Sequence, residues 1–317
     1  MNRTLRPLLW LLALLLLLTA GCSCTKEEEP VSVDEKAALT QLLMAARPSA
    51  ASVSEPFLRV TVIDVGQGDS ILLVSPEGKS MLVDAGPADA FDRIANALSD
   101  SGVSALDVIV CTHPHEDHIG SMADVLDAYP VGAYYTIDTD QAFPRSEAIH
   151  AALERNGCPV YTAEAYATIP WAESCTVTVL NPIPAYADEP TEMNDLSLVL
   201  HVCYGDTAVL LTGDAEAAAE NRMLDTFPKS MLRADVLKLG HHGSSSSTGY
   251  AFLLAVDPDY AVASCGADNE YGHPHYETLS LLYGTHTAFY RTDLDGTITF
   301  RLDGERVAVE TSRKELP

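Results

Sequence analysis

Seven of the ten histidines in this 317-residue chain fall in three short clusters: His113, His115 and His118; His241 and His242; His273 and His275. Histidines serving separate core or surface roles would not group in this way. The first cluster reads Cys111-Thr112-His113-Pro114-His115-Glu116-Asp117-His118-Ile119-Gly120 and brings carboxylates among the imidazoles. Alternate residues of an extended segment project to one side, and Pro114 keeps the segment extended, so His113 and His115 can reach one ion. A turn then lets Asp117 and His118 face a second ion. Imidazole and carboxylate donors together suit Zn²⁺, Mn²⁺ or Fe. The competing reading is an acidic helix N-terminus with chance histidines, which leaves the other two clusters without a reason.

Such donors have to be delivered by the ends of strands. The run 108–111 is a fully apolar strand that ends at the first cluster, and 81–84 reads as a strand closed by Asp84-Ala85-Gly86. Asp84 is therefore placed to hydrogen-bond a ligand imidazole from behind. Asp214 follows Gly213 after the strand 208–212 and precedes a helix-forming run from Ala215 to Leu224. It can cap that helix and bind metal together, since a carboxylate has two oxygens. Further strands are expected at 58–64, 70–74, 175–180, 197–204, 235–239, 260–264, 297–302 and 306–310, with a helix near 90–98. Early strands form hairpins and later ones alternate with helices, which predicts an α/β fold of mixed sheets covered by helices.

With these residues in view, the chain resembles the metallo-β-lactamase superfamily, whose signature is H-x-H-x-D-H. Leu82-Val83-Asp84-Ala85-Gly86, Leu211-Thr212-Gly213-Asp214 and His241 after the strand Val236-Leu237-Lys238-Leu239 follow in the family's order. Within the superfamily the resemblance is to the hydrolase domain of ComEC-type DNA-uptake proteins. It is carried by Asp64-Val65-Gly66-Gln67-Gly68-Asp69-Ser70, Asn194-Asp195-Leu196-Ser197, His241-His242-Gly243-Ser244 and Gly272-His273-Pro274-His275, and covers 57–300. Those proteins also have a multi-span membrane channel, for which this sequence shows no long apolar run beyond the one at 8–18.

The resemblance implies an αββα four-layer sandwich and two divalent ions, Zn²⁺ or Mn²⁺. His113, His115, Asp117, His118, Asp214 and His241 would be ligands, with Asp214 as the bridge and Asp69 and Asp84 behind them. His241 is taken as the ligand because the family places the metal histidine first after this strand; the reverse order with His242 is the alternative. Asp117, His242 and His273 are then the candidates for catalysis, and Ser244, Asn194 and His275 for substrate contact. Relatives with a complete pair of sites add a histidine between the first cluster and the bridging aspartate. Here that segment offers Asn194 to Ser197, and His201 lies several residues along a strand. The first ion is accordingly expected to be weak, with His273 as a possible substitute ligand.

Two cations bridged by Asp214 would bring the pKa of a shared water from 15.7 toward about 7, giving hydroxide at neutral pH. The expected activity is a phosphodiesterase or nuclease, with single-stranded DNA as a candidate substrate. Hydrolysis of an ester, lactone or other small envelope molecule is the second reading, and a non-catalytic metal-binding lipoprotein the third.

Composition bounds these readings. Residues AVILMFWYC make up 47% of the chain, enough to build a core, and 45 Asp+Glu against 19 Lys+Arg give a formal charge of −26. That balance excludes a module that coats nucleic acid through basic stripes. Arg3 and Arg6, the apolar run from Leu8 to Leu18, and Thr19-Ala20-Gly21-Cys22 read as an export signal over 1–21 with a lipobox-like end, making Cys22 the lipidation site. Its removal would change the charge to −26 − 2 = −28. The expected location is extracytoplasmic, on a membrane through a lipid anchor alone. Residues 22–55 are expected to form a tether with one short helix over 34–46, 56–311 the hydrolase domain, and 312–317 a tail. The other cysteines lack C-x-x-C spacing and read as buried small hydrophobes, with Cys158 and Cys175 the one pair that could bridge.

Overall fold

A computed structural model of the chain describes residues 33–48, 51–138, 143, 145–187 and 191–313. Cys22, Cys24, the expected export signal, the start of the expected tether and most of the expected tail lie outside them. The strands are β1 (Leu58–Val62), β2 (Ile71–Val74), β3 (Ser80–Val83), β4 (Leu106–Val110), β5 (Val131–Thr136), β6 (Val160–Thr162), β7 (Cys175–Asn181), β8 (Val199–Tyr204), β9 (Thr207–Leu211), β10 (Val236–Lys238), β11 (Tyr260–Ala263), β12 (Ala288–Arg291), β13 (Ile298–Leu302) and β14 (Val307–Thr311). One sheet runs β14-β13-β1-β2-β3-β4-β5-β6 and the other β12-β11-β10-β9-β8-β7. Both are mixed: hairpin-linked antiparallel strands give way to the parallel sets β3-β4-β5-β6 and β9-β10-β11-β12.

Period-two alternation explains why the sheets stack. Val108 and Val110 of β4 and Val209 and Leu211 of β9 point into a shared inter-sheet core with Val60, Leu73 and Val177. Their neighbours Ile109 and Leu210 point the other way, each toward a layer of helices. Over the first sheet lie α2 (Phe91–Asp100), α4 (Met122–Ala128) and α5 (Ser146–Asn156), contributing Ile94, Leu98, Val125, Ile149 and Leu153. Between α2 and α4 comes the one-turn α3 (Glu116–Ile119) that carries Asp117 and His118.

The second sheet is covered by α1 (Val33–Ala45), α6 (Ala217–Thr226), α8 (Tyr250–Val256) and α9 (Tyr276–Thr285), through Leu39, Leu43, Met223, Phe252 and Leu279. Two short helices complete the chain, α7 (Lys229–Leu232) and α10 (Thr292–Asp295). The result is the expected αββα order of layers.

The helix expected inside the tether is α1, and it is docked on the body. Beyond its buried leucines, the Arg47 guanidinium meets the Asp295 carboxylate through two hydrogen bonds of 2.8 and 2.6 Å and lies 4.0 Å over the Tyr290 ring. Among the described residues no helix is long and apolar enough to cross a membrane, and Cys111, Cys158, Cys175, Cys203 and Cys265 are free thiols.

Glu220 of α6 is a buried carboxyl that accepts the backbone N–H groups of Thr248 and Gly249, tying the helix to the loop before α8. Burial raises its pKa to about 7 against the two backbone donors, with Asp195 and Glu216 adding to the rise. Unfolded, it would lose its proton near the ordinary 4.5. The native state therefore holds the extra proton between these values, and stability falls as pH rises across that window. At about 1.4 kcal/mol per pH unit the loss amounts to roughly 3 kcal/mol. Urea midpoints measured from pH 4.5 to 8 should show this decline in the wild type and a flatter profile in Glu220→Gln. Parallel profiles would refute the assignment.

Candidate metal centre

The parallel strands of both sheets end at the same edge of the sandwich, where α/β sheets generally present their chemistry. Just past these ends stand Asp84 after β3, Thr112 and His113 after β4, Asp214 after β9, His241 and His242 after β10, and Ser264 after β11. Residues up to 180 positions apart in the chain are set by these ends into one pocket.

Four imidazoles turn Nε2 toward the Asp214 carboxylate. His118 Nε2 is 3.2 Å from Oδ1, and the Nε2 atoms of His242, His113 and His241 are 3.6, 3.8 and 3.8 Å from Oδ2. Each ring is fixed from its Nδ1 side. His118 Nδ1 donates to Asp84 Oδ2 at 2.8 Å, and Asp84 is itself held by the Thr112 N–H and hydroxyl. His242 Nδ1 donates to the Ser264 carbonyl at 3.0 Å, His241 Nδ1 to Glu216 Oε1 at 2.8 Å, and His113 Nδ1 lies 3.1 Å from Thr112 Oγ1. Fixing one ring nitrogen selects the tautomer that leaves the other free as a ligand.

The donors divide into two groups. Asp117, His118, Asp214 and His242 offer ligand atoms all within 4.8 Å of one another, and Asp117 Oδ2 lies 3.0 Å from His242 Nε2. On the other side, His113 Nε2 is 3.0 Å from His115 Nδ1, and His115 is exposed at the mouth. Of the two adjacent histidines after β10, His242 is the one beside Asp117. Sequence order alone had favoured His241. Both residues take left-handed backbone angles, φ 46° and 57°, which turn the rings away from strand alternation. Gly68 allows the other close approach: its φ is 139°, and a Cβ there would collide with the Asp117 carbonyl.

The electrostatics suit cations. Burial opposes charge on His118 and His242, yet neighbouring carboxylates, Asp214 foremost, push His118 well above its ordinary value and His242 up to about 9. Burial would likewise raise Asp117, but His118 and His242 hold it at about 2. The carboxylates thus favour positive charge among these rings. Asp214 Oδ1 and His118 Nε2, both buried, complete no hydrogen bond, so the donor set fits a metal whose bonds would satisfy them.

Asp69 and Lys238 lie beneath. Lys238 is fully buried, and its Nζ meets Asp69 Oδ2 at 2.9 Å and donates to the Leu239 carbonyl. Asp69 Oδ1 is 3.5 Å from His242 Nδ1. The sequence offered Lys238 only as a strand residue; a lysine within an apolar run is the signal that it has a buried anion to meet.

At the rim, burial together with His242, His275 and His241 lowers His273 to about 3, so its ring is neutral. Its Nδ1 is 3.5 Å from Gln67 Nε2, and the exposed Tyr271 stacks on it. His275 is committed to the loop: its Nδ1 accepts the Ser245 N–H and its Nε2 donates to the Tyr271 carbonyl. The Ser244 hydroxyl bonds Ser246 at 2.8 Å, and the N–H groups of Ser244, Ser245, Ser246 and Ser247 all find partners within this region. Asn194 Nδ2 donates to Glu216 Oε1, beside His241. Glu216 itself was not foreseen, since a glutamate two residues after Asp214 reads as helix N-terminal charge.

Residues 63–183 and 191–267 match the family described as the Metallo-beta-lactamase superfamily. The chain is similar to ComE operon protein 3 of Bacillus subtilis, at 31% identity over 76% of this chain and 33% of that protein. It is also similar to Competence protein ComA of Neisseria gonorrhoeae, at 34% identity over 81% of this chain and 34% of that protein. The chain therefore spans about a third of the length of these curated relatives. Among solved structures, CmlA, a diiron beta-hydroxylase from Streptomyces venezuelae, superposes with a TM-score of 0.51 at 15% identity, covering 80% of this chain and 55% of that one, a likeness of fold.

Proposed function

The chain belongs to the metallo-beta-lactamase superfamily, as a hydrolase-fold relative of competence proteins, and from that premise we propose that it is a metal-dependent phosphodiesterase. The observation that carries the reading is the convergence of four imidazole Nε2 atoms on the two oxygens of Asp214. His113, His115, Asp117, His118, Asp214, His241 and His242 would hold two divalent ions, Zn²⁺ or Mn²⁺. Cations bound there acidify water to near neutral pH and offset charge on the phosphate.

The remaining work falls to the chain. Asp84, Ser264, Glu216 and Asp69 hold the rings in the productive orientation. Asp117, partly exposed and ionised, would accept the proton of the attacking water. Water oxygen bonds to phosphorus, the P–O bond to the leaving group breaks, and that oxygen takes up a proton. The neutral His273 ring would hydrogen-bond the leaving group, and the exposed Tyr271 offers a face on which a base could stack. This supports single-stranded DNA as substrate. The N–H groups of the serine loop are engaged within the protein, so ions held by these residues would be what meets the charge of the phosphate.

The charge of −26 favours a second reading, hydrolysis of a small envelope ester or lactone, since acidic residues bordering the mouth repel a long polyanion. Screening beyond about 8 Å at physiological salt limits that repulsion. The purified chain with Mn²⁺ or Zn²⁺ should cleave bis(p-nitrophenyl) phosphate and single-stranded DNA and leave p-nitrophenyl acetate largely intact. Ester turnover without phosphodiester turnover would select the second reading. We place the protein outside the cytoplasm, tethered by lipid on Cys22; Cys22→Ser should release it from the membrane fraction.

A further inference from the structure

We propose that His241 supplies the first ion with the histidine that the segment between Asp117 and Asp214 lacks, and that Glu216 and Asn194 position it. The inference rests on Asp214 as a bridge between two ions, not on what the enzyme cleaves.

The segment from 118 to 213 contains two further histidines, and neither can reach the site. His150 lies on α5 of the outer layer and is exposed. His201 Nε2 donates to the Arg233 carbonyl at 2.8 Å, and its Nδ1 lies 3.3 Å from Cys203 Sγ. Where a ligand would enter, the chain supplies Ser197, whose Oγ lies 3.3 Å from His113 Nδ1 and accepts the Asp214 N–H. That hydroxyl stands behind the donors rather than among them.

His241 occupies the opening. Its Nε2 is 3.8 Å from Asp214 Oδ2, the oxygen that His113 Nε2 and His242 Nε2 also face, at 3.8 and 3.6 Å. The rings of His241 and His242 stand 6.0 Å apart at 65° on the left-handed turn. His242 Nε2 lies 3.0 Å from Asp117 Oδ2 and within the group of ligand atoms formed with His118 and Asp214, and His241 stands outside that group. Behind it, Glu216 Oε1 accepts both His241 Nδ1–H at 2.8 Å and Asn194 Nδ2–H at 3.0 Å. A carboxylate behind an imidazole both orients the ring and raises its basicity, the usual company of a metal-bound histidine. Without a metal role, a ring fixed so firmly at one nitrogen and aimed at a carboxylate with the other has no evident purpose. His273 is a poorer candidate, since its Nδ1 faces Gln67.

The test counts ions, not turnover. The full chain, purified in detergent and stripped with chelator, is dialysed against Mn²⁺ and assayed by mass spectrometry, with circular dichroism to verify folding. Wild type should hold two ions. His241→Ala should keep one at unchanged affinity and bind the other at least tenfold more weakly. Glu216→Gln, a milder change, should weaken that same ion about 10- to 100-fold. His150→Ala should hold both. Two ions of unchanged affinity in both His241→Ala and Glu216→Gln would overturn the assignment, as would a wild type that holds only one. Failure to cleave phosphodiesters with the expected ion counts would instead refute the proposed activity and leave this inference standing.

Discussion

Asp214→Ala should abolish phosphodiester cleavage to within assay background, a loss of at least about 10³-fold. Removing a single oxyanion donor typically costs about 10²- to 10³-fold, and this carboxylate does more than one donor does. Its two oxygens face all four convergent imidazoles, so on the proposed two-ion site truncation would take a ligand from both ions at once. The change should lower metal content as well as rate, and added Mn²⁺ should restore little. His118 and His242 also lose the anion that contributes most to holding them protonated. The metal-free variant should therefore fold with near-native circular dichroism. Retained activity within tenfold of wild type would remove Asp214 from the centre of the mechanism.

Lys238→Met should be the most destabilising single change near the site. The ammonium is fully buried against Asp69, and its loss leaves a carboxylate in the interior with only the imidazoles of His242 and His118 to compensate it. Breaking a buried pair from one side costs about 3–5 kcal/mol. For a chain of this size each kcal/mol shifts the melting temperature by roughly 2–4 °C, so a fall of about 10 °C is expected. The double variant Lys238→Met/Asp69→Asn should recover much of that loss, because no buried charge is left unpaired. A single variant as stable as the wild type would mean that the pair contributes little. A double variant no better than the single would locate the damage in packing rather than charge.

Much of this arrangement can be read from the order of residues, for identifiable physical reasons. Apolar runs such as Val108 to Val110 and alternating ones such as β1 declare themselves as strands, and their ends place Asp84, His113 and Asp214 within reach of one another. The spacing of His113, His115, Asp117 and His118 then marks them as candidate donors. Less legible were β6, a three-residue edge strand with every residue exposed, and β5, whose glycine interrupts the pattern. The order of His241 and His242 was hidden because two successive left-handed residues break the link between sequence parity and side-chain direction. Glu216 and Lys238 were missed for a different reason. Each acts through a partner distant in sequence, so nothing in its own neighbourhood signals the role. Conversely, His275 and Ser244 drew notice as substrate contacts by standing near the site, while their polar atoms are used to hold the rim together.

Diffraction from crystals grown with Mn²⁺, recorded for its anomalous signal, tests the central claim most directly. Two peaks should flank the Asp214 carboxylate, about 3.5–4 Å apart as in two-metal hydrolases. One should lie against His113, His115 and His241, the other against Asp117, His118 and His242. No peak within bonding distance of Asp214, in crystals soaked at millimolar metal, would contradict the account.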